Sequence, residues 1–149
     1  MKTIVLVGCG KGKLAHAAPA RDLYTGPLFK KARAYAERVG DDWAILSAKH
    51  FLLPPDRVIE PYERKLKGLA HDYLKQWIWN TNWGIRSRWE TWKNPVRFIC
   101  VAGKEYAQAL NSKLLAPTMR LEAEYPLEGL GVGSRLKWLS DNLKNILMR

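Results

Sequence analysis

Cysteine is nearly absent from this 149-residue chain: Cys9 and Cys100 are the only two. Two thiols are too few for a disulfide framework, and free thiols in a reducing cytoplasm are the expected state. Neither belongs to a Cys-x-x-Cys pair, and the three histidines, His16, His50 and His71, lack metal-ligand spacing, so no metal site is expected. Long apolar runs are also missing. No stretch of about 18 residues is apolar enough to span a bilayer, and no membrane partner is expected. The N-terminus combines a basic residue with an apolar run, as an export signal would, but the run stops after six residues. A buried strand accounts for it better. Neither the phosphate-loop spacing GxxxxGK[ST] nor the dinucleotide fingerprint GxGxxG occurs, so no cofactor is expected. Acidic residues are scarce, 14 against 25 basic, and the formal charge of +11 favours an anionic partner.

What is present suits one globular α/β domain over residues 1–149. Apolar residues make up 47% of the chain, enough for a core. Residues 3–8 form a continuous run rich in β-branched side chains, as in a strand buried on both faces. Residues 43–47, 96–101 and 119–123 read as further strands. Helices are expected over 27–39, where Pro27 suits the first turn and Gly40 stops the helix, and over 68–92, with a break near 80–84. Two more are expected over 104–115 and over 133–148, where Leu136, Leu139, Leu143 and Ile146 share one face. Residues 9–26 and 48–66 read as loops. Alternating strands and helices predict a three-layer fold with a mostly parallel central sheet of four to five strands flanked by helices. Ligands of such sheets bind beyond the carboxyl ends of the strands.

Three motifs fall at those ends. The first is Gly8-Cys9-Gly10-Lys11-Gly12-Lys13, where small residues let the backbone approach a ligand and Lys11 and Lys13 add positive charge. Cys9 reads either as a small strand-closing residue or as a nucleophile. Tyr24, at the end of the same loop, is a further substrate-binding candidate. The second is Ser47-Ala48-Lys49-His50, followed by Glu60-Pro61-Tyr62. Here His50 offers acid–base chemistry near neutral pH, Lys49 neutralises an anion, Ser47 and Tyr62 supply hydroxyls, and Glu60 offers a carboxylate beside a developing oxocarbenium centre. Asp22 and Glu105 are rival carboxylates. The third is Ala102-Gly103-Lys104-Glu105-Tyr106, where Gly103 permits close approach and Tyr106 either stacks on a base or joins the core. Five tryptophans also crowd residues 77–92. Trp89 and Trp92 share a face with Ile78 and Ile85 and read as core. Trp79 and Trp83, with Arg86 and Arg88, are candidates for stacking nucleic-acid bases or for a homodimer interface.

With these residues in view, the chain resembles the YaaA-like superfamily. Leu46-Ser47, Leu52-Leu53, Pro54 and Ile59-Glu60-Pro61-Tyr62 look like the family pattern LS, GLL, P and I-x-PY. The run from Cys9 to Lys13 is similar to the C-S-x-x-K element of archaeosine synthase catalytic domains, and Ser47 to His50 to their S-x-x-H element. Gly10 stands where that family has serine, and Phe51 where the pattern has glycine. The resemblance implies site roles for Cys9, Lys13, Ser47, His50, Pro61 and Tyr62. It also implies either DNA binding in peroxide stress, as in YaaA proteins, or modification of a deazaguanine base, as in archaeosine synthases. The expected function is therefore an enzyme acting on a nucleobase, by base modification, N-glycosidic cleavage or transfer, with nucleic acid (DNA ahead of RNA) or a nucleotide as partner. The alternative is a non-catalytic DNA-binding protein of stress response or genome defence.

Overall fold

In the computed structural model, which describes residues 1–115, 117 and 120–147, the first apolar run becomes the central strand. Strand β1 (Lys2–Gly8) lies between β3 (Asp42–Ser47) and β6 (Val96–Val101), parallel to both. Strand β4 (Phe51–Leu53) pairs antiparallel with β3, and β7 (Ala123–Glu124) pairs parallel with β6. The result is a five-stranded sheet of order β4-β3-β1-β6-β7. A separate two-stranded sheet joins β2 (Ala18–Pro19) to β5 (Val58–Ile59), and the short α1 (Ala20–Leu23) follows β2.

Helices cover both faces, which is why the strands read as uninterrupted apolar runs rather than alternating ones. On one face, Val5, Val7, Ile45 and Ile99 pack against Phe29, Ala32 and Ala36 of α2 (Pro27–Val39) and Leu139 of α5 (Val132–Leu147). On the other, Ile4, Leu6, Ala44 and Cys100 pack against Trp77, Ile78 and Ile85 of α3 (His71–Trp89) and Leu110 of α4 (Lys104–Leu110). The expected three-layer, mostly parallel α/β architecture is what the chain adopts. Among the described residues no helix is long and apolar enough to cross a membrane.

Several boundaries differ from the sequence expectation, each for a physical reason. Helix α3 runs unbroken through 80–84, because Asn82 donates its side-chain amide to the Ile78 carbonyl (2.8 Å) instead of breaking the helix. Gly84 sits against Leu52 and lets β4 approach closely. The helix starts at His71, beyond Gly68, whose φ of 82° is left-handed. Helix α4 stops at Leu110 rather than 115. The supposed loops hold β2 with α1 and β4 with β5, strands of two or three residues that are too short to show periodicity. The fourth strand falls on Ala123–Glu124 rather than 119–123. Met119, Met148 and the side chain of Ile146 lie outside the described residues. In α5, Leu139 is fully buried and Leu143 packs on the core, while Leu136 is only half-buried.

The turn from β3 to β4 ends on Phe51 with φ 62°, a left-handed conformation that costs a side-chain-bearing residue about 1–2 kcal/mol. This is the position where the resembled pattern carries glycine. Gly8, by contrast, is required by contact. A Cβ there would meet the Ala102 Cβ at 2.9 Å and its Cα at 3.1 Å, so the ends of β1 and β6 touch. Gly8→Val is expected to destabilise the fold by about 1–3 kcal/mol, as overpacking does. In a thermal melt that corresponds to a fall of roughly 2–4 °C per kcal/mol.

Candidate functional site

The chain leaves β1 toward α2 on one face and leaves β6 toward α4 on the other. Two adjacent parallel strands whose connections diverge leave a crevice at their carboxyl ends, the usual ligand site of an open α/β sheet. A hollow of about 280 Å³ occupies this crevice. Cys9, Gly10, Lys11 and Lys13 line it from the loop after β1, and Glu105 and Tyr106 line it from the turn after β6. Residues 63–67 complete its wall. An adjoining hollow of about 250 Å³ shares Lys11, Lys13 and Glu63 and reaches Tyr62.

Local pairing explains how distant residues meet here. The backbone of 12–14 runs antiparallel to 23–25, through Thr25 N–H to the Gly12 carbonyl and Leu14 N–H to the Leu23 carbonyl, both at 2.9 Å. This sets Tyr24 beside Lys13. The β2–β5 pair, with Ala20 N–H donating to the Arg57 carbonyl at 2.8 Å, brings the segment before Tyr62 against the same loop. Cys9 N–H donates to the Leu46 carbonyl (3.0 Å) and so ties the first motif to the second.

The outcome is a connected set of hydroxyls. Ser47 Oγ lies 2.6 Å from the Tyr62 hydroxyl, which lies 2.6 Å from that of Tyr24. Ser47 Oγ also accepts the backbone N–H of His50 (3.0 Å) and of Lys49 (3.3 Å). With its lone pairs engaged by amides, Ser47 donates its proton to Tyr62, and Tyr62 in turn donates to Tyr24. On the other wall, Cys9 Sγ and the Tyr106 hydroxyl are 3.0 Å apart. Trp77 backs both walls: its Nε1–H donates to the Ser47 carbonyl at 2.8 Å and its ring meets Tyr106 edge-on. Burial is the main cause pushing the phenols of Tyr24, Tyr62 and Tyr106 well above the usual tyrosine range, so all three stay protonated. They offer neutral O–H groups, not phenolates.

Positive charge surrounds these hydroxyls. Lys13 Nζ lies 4.7 Å from the Tyr62 ring centroid, and Lys49 Nζ lies 5.7 Å from it. Lys11, Arg64, Lys65 and Lys67 add to Lys13 around the main hollow, against the carboxylates Glu63 and Glu105. A bound anion would offset the mutual repulsion of these cations.

His50 stands one ring behind this surface. Its imidazole packs edge-on against Tyr62, 5.3 Å between centroids, and its buried Nε2 has no hydrogen-bond partner among the described residues. Burial, then the charges of Arg57 and Lys49, hold its pKa below the ordinary histidine value, so it is neutral at pH 7. Below about pH 6.5 the unfolded chain binds a proton that the folded His50 resists, so this contribution to stability is lost as pH falls through that window. Melting temperatures at pH 7.5 and pH 5.0 are expected to differ less in His50→Gln than in the parent chain.

The remaining candidates divide. Gly103 lies on the turn between Ala102 and α4 and lines neither hollow. Glu60 is exposed and lines neither hollow, because β5 directs it away; Glu105 and Glu63 are the carboxylates present. Asp22 is engaged by Arg33 at 2.9 Å and serves the structure. Trp79 and Trp83 are exposed on α3, at 48% and 66%. Trp89 is buried, donating Nε1–H to Asp42 at the opposite end of the sheet (2.9 Å), and Trp92 is half-buried. Arg88 pairs with Asp42 at 3.7 Å, and Arg86 lines a groove beside Trp83 and Trp89. Along α3, Arg88 lies roughly 16 Å from Trp77, and none of Trp79, Trp83, Arg86 and Arg88 lines the hollow or its neighbour. Cys100 is core, its thiol pushed up to about 12 by burial. Sequence reasoning passed over Glu63, Arg64 and Trp77. Residues 63–66 fall in a segment that reads simply as loop, and nothing in the tryptophan pattern distinguishes Trp77 as the one bonded to Ser47. Among the described residues no group of three or more His, Cys, Asp or Glu side chains has the arrangement of a metal site.

Fold and site together define an open α/β domain with a cationic hollow at the switch point of its parallel sheet; the hydroxyls of Ser47 and Tyr24 are buried and line neither hollow. The chain belongs to a family of unknown function, DUF6884, whose model matches residues 4–141 and so takes in every segment of the hollow. It is also 28% identical over 120 residues to the uncharacterized protein YfjM of Bacillus subtilis (strain 168), a match covering 75% of this chain and 77% of that protein.

Proposed function

We propose that the chain is an enzyme acting on a nucleobase-bearing unit, either a nucleotide or a nucleotide within nucleic acid, by base modification, N-glycosidic cleavage or transfer. The observation that carries this reading is the convergence of a thiol, protonated phenols and ammonium groups at one strand rim. Lys11, Lys13 and the 63–67 segment suit a phosphate. The Tyr106 hydroxyl suits the polar edge of a base or sugar, while Tyr62 lines the adjoining hollow with its ring against Lys13. Cys9 Sγ is the nucleophile within reach of a ligand: as it bonds to the carbon bearing the base and the glycosidic C–N bond breaks, the thiol proton can pass through the adjacent Tyr106 hydroxyl to the departing base. Glu105 takes the place of Glu60 as the carboxylate beside developing positive charge. His50 acts through Tyr62, as a positioning residue. The likeness to the YaaA-like superfamily supports the same substrate class, and a reducing cytoplasm suits a free Cys9 thiol.

Incubating the protein with deoxynucleotides and with plain and modified DNA, and following products by mass spectrometry, tests this. A released or altered base is expected, with turnover lowered about 10² or more in Cys9→Ala. Turnover that survives Cys9→Ala would refute its role, and neither binding nor turnover with any substrate would refute the reading.

A second reading, non-catalytic DNA binding, is favoured by the exposed Trp79 and Trp83 beside Arg86 and Arg88, a face that also suits a homodimer. Gel shifts at two salt concentrations, with Trp79→Ala and Trp83→Ala variants, separate it from the first: loss of DNA binding with an intact hollow would favour this face.

A further inference from the structure

A second hollow, of about 520 Å³, opens on the far side of the turn at 103–105, between α4 and the approach to α5. Its lining includes Lys104, Arg135 and Tyr125, with Glu128 as the opposing carboxylate. The Tyr125 hydroxyl is buried and has no hydrogen-bond partner among the described residues. A buried unpaired hydroxyl costs about 1–3 kcal/mol and calls for an explanation, of which a ligand atom is one. Burial also keeps this phenol protonated, so it is a donor. The turn at Gly103 and the first turn of α4 lie between the two hollows: Glu105 and Tyr106 line the first, Ala102, Lys104 and Ala107 the second. A Cβ on Gly103 would lie 3.6 Å from Glu105 Oε2, which faces the first hollow, and 3.7 Å from Arg135 Nη1, which faces the second. With no side chain on Gly103, only the Glu105 and Arg135 side chains flank this position.

We propose that the two hollows bind consecutive units of a single-stranded or flipped-out polynucleotide, with the reacting nucleotide in the first and the neighbouring phosphate on Lys104, Arg135 and Tyr125 in the second. This rests on the nucleotide reading above and narrows it from free nucleotides to a polymer. A free monophosphate fills one hollow and leaves the cations of the other unused; a strand engages both.

Fluorescence anisotropy with a labelled mixed-sequence deoxydecamer, alongside competition by the four deoxynucleoside monophosphates, tests the inference. The decamer is expected to bind more tightly than any monophosphate. Tyr125→Phe is expected to weaken decamer binding roughly three- to tenfold while leaving monophosphate binding and the melting temperature essentially unchanged, since the hydroxyl has no protein partner to lose. Lys104→Gln, at an exposed position, is expected to reduce the slope of log K against log salt by about 0.7, one phosphate contact on a single strand. If monophosphates bind but the decamer binds no more tightly, or if both variants bind it like the parent, the polymer inference fails and the nucleotide reading stands. If neither ligand binds, both fail.

Discussion

Trp77→Ala is expected to cost about 3–5 kcal/mol, the usual range for truncating a large buried aromatic. At this chain length the melting temperature should fall by about 6–20 °C. Trp77 is fully buried in the core layer beneath α3 and also bonds to the Ser47 carbonyl at the rim of the site. Trp77→Phe separates the two duties. It keeps most of the packing but strips the Ser47 carbonyl of its indole donor, which should cost about 1–3 kcal/mol. Because Tyr106 rests on the same ring, both variants should also disturb the approach of Tyr106 to Cys9. Chemical denaturation and ligand binding on the same samples would show this. A Trp77→Phe protein as stable as the parent would mean that the Ser47 carbonyl finds another partner and that the helix does not anchor the rim.

Lys13→Met should reduce affinity for a phosphate-bearing ligand by about 10- to 100-fold, the worth of one charge-assisted hydrogen bond of 1.5–3 kcal/mol. Lys13 is half-buried against the Tyr24 and Tyr62 rings, and its ammonium is held by the Lys11 carbonyl at 2.9 Å. Methionine keeps the aliphatic contact, so only the charge and a cation–π contribution of about 0.5–1 kcal/mol are lost. Lys11→Met, at an exposed position, serves as the control and should cost less. Titration calorimetry with deoxynucleoside monophosphates reads both. Equal losses in the two variants would point to diffuse attraction by the basic surface rather than to a formed site.

The sequence made the frame of this site legible and left its closure hidden. Continuous apolar runs at 3–8, 43–47 and 96–101 marked strands buried on both faces, and the glycines after them marked where the backbone could approach a ligand. Those are local signals, and local periodicity records them well. Tyr24, Ser47 and Tyr62 were candidates from their neighbourhood in the chain. Their hydrogen-bonded series depends on the 12–14/23–25 pairing and on the β2–β5 pair, contacts two or three residues long that carry no periodic signal. Glu60 lies outside both of these hollows for a similar reason. A carboxylate beside Pro61-Tyr62 looked well placed, but the two-residue strand β5 decides which side chains turn inward, and it buries Ile59 instead. Tryptophan spacing misled in another way. Trp79 and Trp83 were rightly separated from Trp89 and Trp92, yet only the packing of α3 shows that neither lines the hollow.

The most direct measurement is a ¹H–¹⁵N chemical-shift titration of the whole chain with a deoxynucleoside monophosphate. Saturable shifts are expected at 9–13, 47–50, 62–67 and 103–106, together, with one dissociation constant. Shifts confined to the exposed face of α3 around Trp79 and Trp83, or an unchanged spectrum at millimolar ligand, would contradict a nucleotide site at the carboxyl ends of β1 and β6.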